Sequence, residues 1–167
     1  MEERLTLTIY TEVVTGMLQR LAIVLTRRNL QIISITSSES EQVGLMKYTI
    51  ILLCNREKVN RVIGQLEKLI DVFRVILHEE EKIVSREMAL FKVRVEKDSF
   101  TDLNKVIKFY QLSVLKQTST YIILEKTGDM FLHQALLEAL RCFGVLEYTR
   151  SGYIVVAKND EEYKVNL

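Results

Sequence analysis

The sequence predicts an α+β protein built of two successive β-α-β-β-α-β units. Three observations predict it. Hydrophobic residues make up 48% of the 167 residues, which is enough for packed cores and too much for a disordered chain. The apolar pattern switches between period 2 and period 3.6, the periods of strand and helix. Those switches run strand, helix, strand, strand, helix, strand, and the order restarts after one short polar break.

The elements follow in turn. Leu5 to Tyr10 alternates cleanly and reads as a strand with one buried face. Thr15 can cap a helix in which Leu18, Leu21, Ala22 and Leu25 form one apolar stripe. Arg27 and Arg28 end it, where cations complement the helix dipole. Gln31 to Ser37 is a second strand, with Ile33 and Ile35 expected on one face. Ser38 to Gly44 is a turn, and Leu45 to Cys54 a strongly apolar third strand. Glu57 to Lys68 is a helix with the stripe Val59, Val62, Ile63 and Leu66, and Val72 to His78 is a fourth strand. This order is the ferredoxin-like unit. Glu79-Glu80-Glu81-Lys82 then breaks the pattern as a solvated run, giving expected domains 1–79 and 80–167.

After the break the same grammar returns. Met88 to Val95 alternates. Phe100 to Tyr110 suits a helix with Leu103, Val106, Ile107 and Tyr110 inward. Leu112 to Gln117 and Tyr121 to Glu125 read as strands. Asp129 can cap a helix with the stripe Leu132, Ala135, Leu136, Ala139 and Leu140. Val145 to Thr149 is a strand, Ser151-Gly152 a tight turn, and Tyr153 to Ala157 a closing strand.

Composition excludes several functions. An average chain of this length carries roughly 8 prolines and roughly 12 glycines; this one has no proline and 6 glycines. That rules out proline-rich linkers and leaves no glycine-rich phosphate loop. Lys plus Arg is 23 against 22 for Asp plus Glu, a net charge of +1, so no basic field attracts nucleic acid or a membrane surface. A ferredoxin-like RNA-binding module would need exposed aromatics on its central strands, and Leu45 to Cys54 has only Tyr48. No apolar run approaches the ~20 residues of a membrane span, and no signal peptide opens the chain. Cys54 and Cys142 both lie in apolar surroundings and read as reduced core thiols of a cytoplasmic protein.

Catalytic and metal chemistry is not visible. The two histidines, His78 and His133, have no metal ligand or nucleophile at useful spacing. His133 follows the helix stripe by one position and is expected on the surface, and Asp160-Glu161-Glu162 reads as a solvated tail. An acyl-phosphate hydrolase would need an anion-binding Arg in the first turn, and Tyr10 to Met17 has none. The chain therefore reads as a binding or regulatory module with no catalytic residue, metal or cofactor of its own. One place has binding chemistry. The turn Tyr10-Thr11-Glu12-Val13-Val14-Thr15-Gly16-Met17-Leu18 leads into a helix N-terminus, whose free N–H groups can hold a carboxylate. Gly16 lets a ligand or a neighbouring backbone approach closely.

From that turn onward the chain resembles a known family. Gly16-Met17-Leu18-Gln19-Arg20-Leu21 and Arg27-Arg28-Asn29-Leu30-Gln31-Ile32 are similar to the ACT-domain opening of acetolactate synthase (acetohydroxyacid synthase) small regulatory subunits. Leu66-Glu67-Lys68-Leu69-Ile70-Asp71-Val72-Phe73-Arg74-Val75 resembles the next family phrase. Val84-Ser85-Arg86-Glu87-Met88-Ala89-Leu90-Phe91-Lys92-Val93 resembles the opening of the family's C-terminal domain. Phe143-Gly144-Val145-Leu146-Glu147 and Arg150-Ser151-Gly152 resemble its closing phrase.

The resemblance implies an N-terminal ACT domain followed by a C-terminal small-subunit domain. It implies a non-catalytic partner of a large catalytic subunit that uses thiamine diphosphate, magnesium and FAD. That subunit condenses pyruvate with pyruvate or 2-oxobutyrate in branched-chain amino-acid (valine, leucine, isoleucine) biosynthesis. It also implies a homodimer through ACT domains, with an amino-acid effector such as valine at the pairing interface. The corresponding effector-binding positions are Val13, Thr15, Gly16, Met17, Gln31 and Ile32. Three of the family's residues differ here. Val13 and Gln31 stand where the family has asparagines, and Asn29 where it has a glycine. Valine needs polar partners for both charged groups, so weak or absent valine feedback is expected. A stand-alone ACT-type amino-acid sensor of another enzyme is the alternative, and it leaves the second-domain similarity unexplained.

Overall fold

The N-terminal alternation folds as expected in a computed structural model, which describes residues 2–96 and 100–158. The acidic run at 160–162 lies outside the described residues. In the first unit, β1 (Glu3–Glu12), α1 (Met17–Thr26), β2 (Gln31–Glu39), β3 (Leu45–Cys54), α2 (Arg56–Leu66) and β4 (Val72–His78) succeed one another. The sheet order is β2-β3-β1-β4, all antiparallel. Leu5, Leu7 and Ile9 of β1 and Tyr48, Ile50 and Leu52 of β3 face the helices. Met17, Leu21 and Leu25 of α1, with Val59, Val62 and Leu66 of α2, close the core from above. Asn55 caps α2 by accepting from the Lys58 N–H at 2.8 Å.

Several local readings change, and in α1 Met17 rather than Leu18 joins Leu21 and Leu25 in the core. Thr15 does not cap α1; Gly16 is the N-cap, at φ +81°, with no side-chain hydrogen bond. A left-handed turn here suits glycine, because it has no Cβ to clash. Ile33 and Ile35 do not share a face. The β2–β3 register shifts between Ile32 and Ser34, so Ile32 and Ile35 pack on the core and Ile33 is exposed. Asn29 takes a left-handed backbone conformation, at φ +52°. It follows the end of α1, where the Leu30 N–H reaches back to the Leu25 carbonyl. Its departure from glycine therefore concerns helix termination, which asparagine tolerates.

β1 is buried on both faces rather than one. Thr8, Tyr10, Thr49, Ile51 and His78 lie on the face away from the helices, and all are buried. The C-terminal segment meets that face. The Arg4 guanidinium lies 4.8 Å from the Tyr153 ring centroid, and Lys47 Nζ donates to the Val155 carbonyl. This segment includes β9 (Ile154–Ala157).

The polar break becomes a 3-10 turn, Glu80–Lys82. There follow β5 (Ile83–Arg94), α3 (Phe100–Tyr110), β6 (Ser113–Gln117), β7 (Tyr121–Gly128), α4 (Met130–Arg141) and β8 (Val145–Arg150). Their sheet order is β6-β7-β5-β8, with β9 also paired to β5. Ala89, Phe91, Val93, Ile122 and Leu124 face Leu103, Leu136 and Leu140 in the second core. Asp129 caps α4 through the Leu132 N–H, as expected. Among the described residues, the contacts group those from Arg86 to Gly152 as one unit, and those before Arg86 with those from Tyr153 onward as the other. The sequence reading instead places the boundary after residue 79 and keeps 153–167 with the second unit.

α4 is rotated from its expected phase. Its buried residues are His133, Leu136 and Leu140, while Ala135 is exposed. His133 is thus wholly buried rather than on the surface. Cys142 is exposed rather than in the core, because it follows the last turn of α4.

Candidate functional site

The β1–α1 turn is held from both sides. The Glu12 N–H donates to the Asp71 carbonyl at 2.9 Å, and the Val13 N–H to the Gly44 carbonyl at 3.2 Å. Arg20 pairs with the Asp71 carboxylate beside it. Gly16 has open space where a Cβ would stand. The first turn of α1 carries neither an acidic residue nor a side-chain cap, so its partial positive charge has no side-chain counterpart. Val13 is 57% exposed. Val43 and Ile70, on the two flanking loops, are more exposed still, which gives the turn an apolar collar that periodicity does not reveal.

The structure brings only part of the six expected positions together. Val13, Thr15 and Gly16 form the exposed turn. Met17 belongs to it by backbone, but its side chain is buried in the core. Gln31 and Ile32 stand elsewhere. β1 ends with Glu12 opposite Leu45, whereas Gln31 is opposite Leu53 at the far end of β3. Those eight residues of strand separate the two groups by roughly 26 Å. Ile32 also packs against the core. A single amino acid cannot touch both groups within one chain.

Besides His133, two buried titratable groups were not foreseen as buried. His78 lies beneath the sheet, its Nε2 2.7 Å from Thr8 Oγ1. Burial first, and then the Lys47 charge, push its pKa down to about 4. The unfolded imidazole takes up a proton near pH 6.5, while the folded one stays neutral to about pH 4. Stability is therefore unaffected by this residue above about pH 6.5 and is lost progressively as pH falls towards about 4. Urea unfolding across that range is expected to show a steeper acid loss for the native chain than for His78→Gln.

The second group is Glu87, only 2% exposed. It accepts from Arg150 Nη1 at 3.0 Å and faces His133 Nδ1 at 3.1 Å. Burial pushes the Cys54 thiol up, away from nucleophilic reactivity. Among the described residues, no three His, Cys, Asp or Glu side chains are grouped to hold a metal ion.

Known proteins place this architecture. A family model described as "Small subunit of acetolactate synthase" matches residues 86–159. The Bacillus subtilis (strain 168) protein named acetolactate synthase small subunit is 31% identical over 163 residues, covering 97% of this chain and 94% of that one. The chain belongs to the acetolactate synthase small-subunit family. A family member from Mycobacterium leprae (strain TN) is 31% identical over 153 residues, covering 92% of this chain and 90% of its own. The solved small subunit from Thermotoga maritima superposes with a TM-score of 0.86 at 25% identity, over 95% of this chain and 99% of that one. The similarity to family members thus spans both ferredoxin-like units. Among the described residues no helix is long and apolar enough to cross a membrane.

Proposed function

We propose that this chain is the regulatory subunit of an acetolactate synthase. It binds the large catalytic subunit and raises its activity in branched-chain amino-acid biosynthesis, in the cytoplasm, and carries no catalytic centre itself. The observation that carries this reading is the 31% identity to the Bacillus subtilis small subunit across nearly the whole of both chains. The apolar collar of Val13, Val43 and Ile70 supports it, since contiguous exposed apolar residues mark protein contacts.

The effector site, on this reading, is shared between two copies of the chain. One copy supplies Val13, Thr15, Gly16 and the backbone of Met17. The second copy supplies Gln31 and Ile32, because one chain holds these groups at opposite ends of its sheet. The α1 N-terminus offers N–H groups to a carboxylate, but the Val13 side chain offers only methyl groups where an ammonium or carboxylate needs a polar partner. Valine feedback is therefore weak or absent.

The test is reconstitution with the cognate catalytic subunit, measuring acetolactate formation with and without branched-chain amino acids. Stimulation is expected, with little change at millimolar valine. Val13→Asn, which supplies the side-chain amide, is expected to increase inhibition by valine several-fold. No stimulation at saturating protein sinks the regulatory reading. Strong inhibition of the unmodified holoenzyme by sub-millimolar valine sinks only the feedback part.

A further inference from the structure

The sheet of the second unit has one face that no helix covers. Ala89, Phe91 and Val93 of β5, with Ile122 and Leu124 of β7, point into the core with α3 and α4. The alternate positions point the other way, because side chains reverse at every residue of a strand. None of those outward residues of β5 and β7 is buried.

The register gives the centre of this face a simple layout. Lys92 stands opposite Ile123, and Leu90 opposite Glu125. Strands lie about 4.8 Å apart and next-nearest residues about 6.7 Å apart along a strand, so the four make a near-square. The two charges occupy one diagonal and the two apolar side chains the other. All four are partly buried. Among the described residues neither charge forms an ion pair; the Lys92 ammonium lies 4.8 Å from the Tyr121 ring centroid instead.

Such a square fits a copy of itself in one orientation only. With the strands of two stacked faces parallel or antiparallel, each Lys92 meets Ile123 or Leu90 of the other copy, and a charge is buried on an apolar side chain. With a two-fold axis along the diagonal through Lys92 and Glu125, like charges meet. With the axis along the diagonal through Leu90 and Ile123, each Lys92 meets Glu125 of the other copy, and Leu90 and Ile123 meet their own equivalents. The strands then cross at close to a right angle, one of the two established ways for sheets to pack face to face.

We propose that this open face is a self-association surface, on which two copies of the chain stack sheet to sheet through Leu90, Lys92, Ile123 and Glu125 about that two-fold axis. It lies on the second unit, whereas the pairing implied by the family resemblance concerns the first. The arrangement is closed, so it makes pairs and not fibres. A nucleic acid fits less well, because Glu125 at the centre repels phosphate. Four strands over the span Met88 to Arg94 make roughly 450 Å² of sheet, against ~800 Å² per partner in a standard interface. The contact is therefore weak by itself, and its test reads the contact directly.

The experiment mixes 14N- and 15N-labelled full-length chains at high dilution, reconcentrates them and couples touching lysines and carboxylates with a zero-length carbodiimide. Mass spectrometry of the digest shows whether a Lys92–Glu125 amide joins one chain or two. Amides between differently labelled chains are expected. A second readout uses Leu90→Cys with the exposed Cys142 replaced by serine; Cys54 is buried. A short bismaleimide is expected to join this variant chain to chain across the axis. Adding Lys92→Glu is expected to reduce the joining about tenfold, since like charges then face each other, and adding Glu125→Lys as well is expected to restore it. Lys92–Glu125 amides confined to single chains overturn the proposal. So does joining that ignores the charge reversals or that the double reversal fails to restore.

Discussion

Replacing Glu87 by alanine is expected to lower the unfolding free energy by about 1–3 kcal/mol, the usual cost of leaving a buried hydrogen-bonding group without its partner. The buried carboxylate is the acceptor that joins the buried His133 ring to the Arg150 side chain, which is 36% exposed. Its removal leaves the buried ring nitrogen without that acceptor, while the Arg150 side chain already reaches water. Urea unfolding of Glu87→Ala against the native chain measures the loss. A triple substitution, Glu87→Leu with His133→Leu and Arg150→Met, is expected to cost less than Glu87→Ala alone. Removing all three polar groups together leaves no orphan. If Glu87→Ala costs less than about 1 kcal/mol, within the reach of an ordinary surface change, the cluster does not hold the unit together.

Replacing Phe91 by alanine is expected to cost about 3–5 kcal/mol, the range for truncating a buried aromatic. Phe91 lies at the middle of β5, fully buried, opposite Leu124 on β7 and Tyr148 on β8. Its ring stacks on Tyr148 with centroids 4.9 Å apart and planes at 28°. Alanine leaves a void beneath both helices and removes the ring contact. Phe91→Leu restores most of the volume and is expected to cost less than about 1.5 kcal/mol. Thermal unfolding of the two variants orders them. Equal losses would show that ring shape and not volume sets the stability of this core.

The element order was legible because each segment carries its own period. Leu45–Cys54, Val72–His78 and Phe100–Tyr110 begin and end where the pattern places them. Asp129 caps α4 as its side chain foretells. The misses have local causes. A cap sought among hydroxyl side chains passes over Gly16, whose contribution is a backbone angle. The alternation Ile33, Ile35 fails because a bulge inserts one residue and reverses the faces beyond it.

The buried cluster was partly legible. Glu87 is in phase with Ala89, Phe91 and Val93, all inward, and His133 is in phase with Leu136 and Leu140. A carboxylate and an imidazole on inward phases of one unit need partners, and each is the other's. The β1–α1 turn was legible as a turn. Its distance from Gln31 was also implicit, since a helix that joins two parallel strands returns the chain to the end where the first strand began.

The sequence by itself determined the order of strands and helices, the near-neutral charge, the absence of a bulk basic field and the phrases shared with small subunits. Only the tertiary structure decided which inward groups meet. Periodicity says whether a residue faces the core of its own element. Strand order and register say what stands opposite. The β5–β8 register sets Ala89 opposite Arg150 and so puts the guanidinium on the Glu87 face. The β2–β3 register sends Gln31 to the far end of the sheet. The C-terminal strand, more than sixty residues beyond the 3-10 turn at 80–82, returns so that the Lys158 N–H reaches the Lys82 carbonyl. These are long-range pairings, made by hydrogen bonds between segments whose separation along the chain leaves no local trace.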